Sequence, residues 1–353
     1  MKTSLTMVLM TLIVATTAIA SEWVETITMK GDLRYRHEMI DKDGSEIRNR
    51  QRIRTRISIT AQPEDNLKLG LRLASGSDDP ASGNQTLDGA FTTKSFMLDR
   101  AYFAWDHVAS GTTIFGGKMG NPFYQPAKTE LLWDGDLSPE GMALQHTFTQ
   151  DNTRITINGA SLWIDERKAD DDVMMYGAQG LLAHTIDDMT FTVGGSYFDY
   201  TNLQGVVLND HFFGNTNDGD TFMNDFTLVE FFAEIGFVVA ERPITLFADF
   251  VINQNADTDN QGYLFGAKLG IAQKPGTWQL KYNYREVQKD AVMGALTDSD
   301  FRGSGTDGKG HELEFGYQLT GKSTLALTYF ANKLGVENGT DYNRVMADLK
   351  FKF

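Results

Sequence analysis

The chain has 353 residues, with 47 acids against 32 bases, 34 Gly, 7 Pro and no Cys. That composition excludes disulfide-stapled, zinc–cysteine and collagen-like classes. With 41% apolar residues and a mean hydropathy of -0.31, the chain does not read as a helical membrane protein. A net charge of -15 opposes nucleic-acid binding, because phosphates call for Lys and Arg.

The first twenty residues read as a leader. Lys2 precedes an apolar run over 5–14 broken only by Thr, and Ala18-Ile19-Ala20 fits a small-residue cleavage site. This predicts a signal peptide over 1–20 and one exported domain over 21–353. The absence of Cys suits an oxidising compartment. A retained anchor would need a longer apolar span.

Beyond the leader no run of 18 apolar residues occurs, and the hydrophobic period is two. Ile27, Met29, Leu33 and Tyr35 alternate with Thr28, Lys30, Asp32, Arg34 and Arg36, which puts oily and ionic residues on opposite faces of a strand. The pattern returns over 53–61, 67–73, 101–105, 113–119, 143–148, 153–164, 175–184 and 189–198. It continues over 227–237, 244–252, 263–271, 278–284, 311–319 and 324–331, and ends over 345–353, giving about sixteen strands. Short turns such as 62–66, 150–152, 187–188, 273–276 and 320–322 alternate with long, acidic connections such as 75–98, 120–140, 199–225 and 286–309.

Short turns on one rim and long loops on the other describe a transmembrane antiparallel β-barrel of the bacterial outer membrane, its short side in the periplasm. A sheet with one face in lipid has no water to satisfy its edges, so it must close. Sixteen strands would enclose water, whereas eight would be filled by side chains. A soluble sandwich or β-solenoid would also alternate, with its apolar face turned into a core. The leader, the loop alternation and the aromatic end at Phe353 separate the two readings. Trp105 and Trp278 at periplasmic strand ends, and Trp163 at an outer end, suit interfacial girdles.

The second segment places Arg48, Arg50, Arg52, Arg54 and Arg56 on one face. Same-face neighbours ~6.8 Å apart repel by ~0.6 kcal/mol in water and ~2.4 kcal/mol at an effective dielectric near 20. Such a column cannot face lipid; it needs water, carboxylates or anions beside it. Arg34, Arg36 and Arg72 extend it into a basic wall, and Arg344, Lys350 and Lys352 widen it if the barrel closes. Opposite, Glu230, Glu234, Asp249, Glu312 and Glu314 form an acidic wall.

Several stretches resemble the trimeric bacterial porins, most closely the "putative porin" family: KGDLRYRHE (30–38), RNRQRIRTRI (48–57), RLASGSDDPASGNQTLDGAF (72–91), GGKMGNPF (116–123) and LLWDGDLSPEGMALQ (131–145). The resemblance spans essentially the whole mature chain. It implies a sixteen-stranded homotrimeric channel whose third outer loop folds into the lumen, and it leaves the solute open. The residues agree on that loop. Over 120–140, Pro122, Pro126 and Pro139 stiffen the chain, while Phe123, Tyr124, Leu131, Leu132 and Trp133 need something to pack on. Its acids Glu130, Asp134, Asp136 and Glu140 are expected to face the arginines, giving a transverse field at the narrowest point.

The eight long connections together carry -20 and the mature chain -16, so strands and turns together carry +4. The expected function is a diffusion channel for small hydrophilic solutes and ions with a modest anion preference; a saturable arginine site for one anion is the rival. Other expected partners are lipid and lipopolysaccharide, with divalent cations held loosely at outer acids such as Asp170, Asp171 and Asp172, and the assembly machinery at Phe353. No resident cofactor is expected. The six His come with no nucleophile or metal-site spacing, and no H-E-x-x-H, G-x-S-x-G or phosphate loop occurs, so catalysis is not expected. A blocked structural barrel would be a third class, but no plug or appended segment is seen.

Overall fold

The computed structural model describes residues 27–208 and 211–353; the predicted cleavage after Ala20 lies outside the described residues. The strands are β1 (Thr28–Lys42), β2 (Arg48–Glu64), β3 (Leu67–Ser75), β4 (Gln85–Thr86), β5 (Phe96–His107), β6 (Thr112–Lys118), β7 (Glu140–Gln150), β8 (Thr153–Asp165) and β9 (Val173–Ile186). They continue as β10 (Met189–Thr201), β11 (Phe226–Val239), β12 (Arg242–Asn253), β13 (Gln261–Gly270), β14 (Trp278–Val287), β15 (Gly308–Gln318), β16 (Ser323–Leu334) and β17 (Thr340–Lys352). Apart from the two-residue β4, these are the sixteen strands that the period of two predicts. Each pairs antiparallel with its neighbours, and β17 pairs with β1 to close the barrel.

Closure follows from which face is dry. Met29, Leu33, Tyr35, Leu69, Phe103, Ile157, Phe231, Phe265, Leu313 and Leu349 are all exposed on the outer face, which is the reverse of a sandwich core. The same strands turn Arg34, Arg36, Glu38, Glu230, Asp249 and Arg344 inward and bury them. Trp105 and Trp163 are exposed near strand ends, and Trp278 carries the Arg242 guanidinium 4.9 Å above its ring, as an interfacial girdle requires.

At the seam, Gly31 and Phe353 exchange two backbone hydrogen bonds of 3.0 Å. The absence of a side chain at Gly31 matters here, because a Cβ would lie 2.2 Å from the Phe353 ring.

The wall has one local repair. β3 pairs with β2 only from Arg56 downward, so the outer half of β2 would lack a partner on that side. The second long loop returns to fill the gap. β4 pairs with Arg52 and Ile53, the Leu87 N–H donates to Gln51 O at 2.8 Å, and the Thr55 N–H donates to Ser75 Oγ at 2.9 Å. This pairs the backbone of β2 from Gln51 to Thr55 on the side that β3 leaves, as an apolar surround demands.

The third long loop enters the lumen as expected, but it does not enter alone. Its Phe123, Leu131, Leu132, Trp133 and Leu137 pack with Leu203, Val206 and Phe222 of the fifth loop, with Ala291, Val292, Met293 and Phe301 of the seventh, and with Met175, Phe198 and Val251 of the wall. Trp133 stacks on Phe123 at 6.0 Å and meets Phe198 edge-on at 5.2 Å. A buried apolar core therefore occupies part of the lumen, and it draws on one side of the wall, β8 to β17, more than on the arginine strands.

Candidate pore constriction

Cross-strand register gathers the basic wall. Arg34 sits between Lys350 on β17 and Arg54 on β2, and Arg36 sits between Asp348 and Arg52. Arg50, Arg52, Arg54, Arg56 and Arg72 all turn inward and are partly buried, while Arg48 at the outer end of β2 is exposed. This column is tolerable because most of it is paired. Arg36 meets Asp348 at 2.7 Å and Asp300 at 2.9 Å. Arg50, Arg52 and Arg344 converge on the buried Glu38, and Arg344 also reaches Asp300 at 2.8 Å. Arg54 and Arg56 share Asp32 and Asp136, and Arg72 pairs with Asp99.

Arg34 is the exception. It is 8% exposed, yet among the described residues its side chain makes one hydrogen bond, donated from Nη2 to Asn84 Oδ1 at 2.6 Å. It forms no ion pair among the described residues, and its Nε has no partner.

The loop acids fall into three groups. Asp136 reaches the basic wall, 2.7 Å from Arg54 and 3.3 Å from Arg56. Burial opposes its ionisation, but Arg54, Arg34 and Arg56 outweigh burial and hold its pKa low. Glu130 and Asp134 lie near Asp298 of the seventh loop, with one carboxylate oxygen from each within 4.8 Å of the others. That spacing suits a hard cation or a shared proton. Burial, then Asp298 and Asp136, push Asp134 up to about 8; burial, then Asp298 and Asp134, raise Glu130 as well. Glu140 departs from the expectation. It is the first residue of β7, shares the outward parity of Met142 and Leu144, and pairs with Lys118 at 2.6 Å instead of facing the arginines.

The expected acidic wall is also redistributed. Glu234 accepts from the Tyr124 hydroxyl at 2.9 Å and the Ala127 N–H at 2.6 Å, so it anchors the third loop. Glu230 and Asp249 are buried. Ser196 donates to Glu230 and also accepts from Gln179 at 3.0 Å; Gln179 in turn accepts from the Tyr124 N–H at 2.7 Å. Glu230 therefore belongs to the loop's footing, while Asp249 is buried in the wall of β12 with no hydrogen-bond partner for its Oδ1 among the described residues. Glu312 pairs with Arg285, which also holds Asp298 at 2.7 Å. Glu314, half-buried, sits opposite Lys281 in register.

Asp300, Asp32, Glu38 and Asp348, like Asn84, Asp99 and Asp298, are residues to which the sequence reading assigned no role in the site. Asp32, Glu38 and Asp348 share the parity of the arginines and were readable. Asp300 was not, since 264 positions separate it from Arg36. Burial disfavours the Asp300 charge, but Arg344, Arg36 and Arg34 hold its pKa well below the carboxylate range.

A polar space of about 270 Å³ remains between these groups. Arg34, Arg54, Arg56 and Asn84 line one side, and Glu130, Asp134, Asp136, Ser299 and Asp300 the other. The model of the family described as "Putative porin" matches residues 40–246 and 238–353. The chain belongs to the putative porin family. No match was found among curated proteins. Solved porin structures share the fold at low identity. OprB of Pseudomonas putida is 10% identical over 94% of this chain and 95% of that one, with a TM-score of 0.65. A mutant of Rh. blastica porin is 11% identical over 93% and 100%, with a TM-score of 0.54. OmpT of Vibrio cholerae lacking loop L8 is 12% identical over 93% and 100%, also at 0.54. This porin is thus a closed sixteen-stranded barrel of the bacterial outer membrane with a channel fold.

Proposed function

We propose that this porin is a diffusion channel for small hydrophilic solutes and ions with a modest anion preference. The observation that carries the reading is the polar space between the arginines of β1 and β2 and the loop carboxylates. Ionised Asp136 and Asp300 face Arg34, Arg54 and Arg56 there, while Glu130 and Asp134 are held toward their neutral forms. The balance leans positive near neutral pH, and the opposed charges set up a transverse field. Paired arginines support general passage over a column of anion sites. The family's channel nature supports a non-enzymatic role.

The proposed assembly is a homotrimer in lipid and lipopolysaccharide, delivered by machinery that reads Phe353. Divalent cations at Asp170 to Asp172 are the remaining proposal; Asp170 there pairs with Arg167 at 3.1 Å.

Planar-bilayer recording of the purified protein under a salt gradient tests the reading. Conductance with a reversal potential favouring anions is expected, and replacing Arg52 and Arg54 by Ala should move it toward cations. A cation preference in the wild type would overturn the selectivity, and absence of conductance would overturn the channel.

A further inference from the structure

The direct ion pairs around the constriction leave an asymmetric remainder. Asp136 is matched by Arg54 and Arg56, and Asp300 by Arg36 and Arg344. Two sets of groups lining the same space stay unmatched. On the wall stands Arg34, buried, without an ion pair and with an orphaned Nε. On the third loop stand Glu130 and Asp134, which among the described residues accept only backbone hydrogen bonds: Glu130 from Gly135 N at 2.8 Å, and Asp134 from Asp136 N at 2.7 Å and Ser299 N at 2.9 Å.

We infer that these groups form a saturable site for small zwitterions of the α-amino-acid class, with the solute carboxylate on Arg34 and Asn84 and its ammonium on Glu130 and Asp134. The space of about 270 Å³ is large enough for such a solute and is bounded by polar groups, so an apolar body gains nothing there. A guanidinium presents several donors in a planar fork suited to a carboxylate. An ammonium carries three donors, which two carboxyls can accept. A simple anion would satisfy Arg34 but give the two carboxyls no donor, and a simple cation would meet Arg34; an ammonium placed beside the carboxyls draws them toward their ionised forms. A solute bearing both charges satisfies both sides at once.

The inference rests on the channel reading, and its test separates the two. Full-length protein in liposomes is assayed for flux of L-glutamine and of L-arabinose, a neutral reference. Glutamine flux should saturate while arabinose flux rises linearly. With Arg34→Gln, and separately with Glu130→Gln plus Asp134→Asn, the half-saturating glutamine concentration should rise about tenfold, the worth of one charge-assisted hydrogen bond. Retention of the heat-modifiable barrel on cold gels qualifies each variant. Linear glutamine flux in the wild type, or wild-type saturation in a folded Arg34→Gln protein, overturns the site and leaves the channel standing. Absence of flux for both solutes overturns the channel. Calorimetric titration of glutamine into the detergent-purified protein then decides the site alone, with no heat of binding overturning it.

Discussion

Gly31 and Phe353 hold each other at the barrel seam through two reciprocal backbone hydrogen bonds of 3.0 Å. The phenyl ring covers the glycine so closely that a Cβ would meet it at 2.2 Å and would meet Arg56 O at 2.8 Å. Gly31→Ala should therefore destabilise the barrel by about 1–3 kcal/mol, the usual range for overpacking. Phe353→Ala in the same chain should recover only part, because the Arg56 carbonyl stays in place. The urea midpoint of gel-mobility unfolding, across both single variants and the double, reads the two contributions.

Asp300 holds Arg36 and Arg344 from a loop. Asp300→Asn should leave two buried guanidinium groups short of charge, costing about 3–5 kcal/mol of folded stability. In channels that still insert, the reversal potential should move toward anions. A shift toward cations would show that Asp300 does not border the ion path.

The Glu130–Asp134–Asp298 cluster carries a pH dependence with a definite sign. Asp134 has its pKa raised from the ordinary carboxylate value of 3.8 to about 8, so the folded state binds more protons than the unfolded one between those values. Stability of the loop packing should fall as pH rises through that window, and not as it falls. Ionisation also adds negative charge at the constriction. The reversal potential should drift toward cations between about pH 6 and pH 9, and Asp134→Asn should flatten the drift.

Trp133 is 4% exposed and touches the rings of Phe123 and Phe198. Trp133→Ala should remove about 3–5 kcal/mol from the loop core while leaving strand pairing intact. Circular dichroism should keep its β signature, and single-channel conductance should rise and become noisier. Unchanged conductance would mean that the loop core does not set the bore.

The strands were legible because lipid on one side and water on the other impose a strict period of two. The inward set Arg34, Arg36, Arg50, Arg52, Arg54 and Arg56 followed from that rule alone. The third loop was legible from its prolines and stranded aromatics. Leu203, Val206 and Phe222 in the fifth loop, and Ala291, Val292 and Met293 in the seventh, offered the same signal of apolar residues in an exposed connection. Weighing them would have anticipated the shared core. Glu140 could have been placed by the parity of Met142 and Leu144. The Arg36–Asp300 contact could not, since no local pattern specifies which distant loop returns to which strand; nor could β4, a two-residue pairing set by where β3 happens to stop.

The seam between β1 and β17 has a consequence for biogenesis. Arg36 and its partner Asp348 are 312 positions apart, so the ionic lining is complete only once the last strand has docked beside the first. A chain cut short before its last strand would lack both the Gly31–Phe353 lock and Asp348, a partner of the buried Arg36. Barrel closure and burial of the first strand's guanidinium are therefore completed by the same docking step.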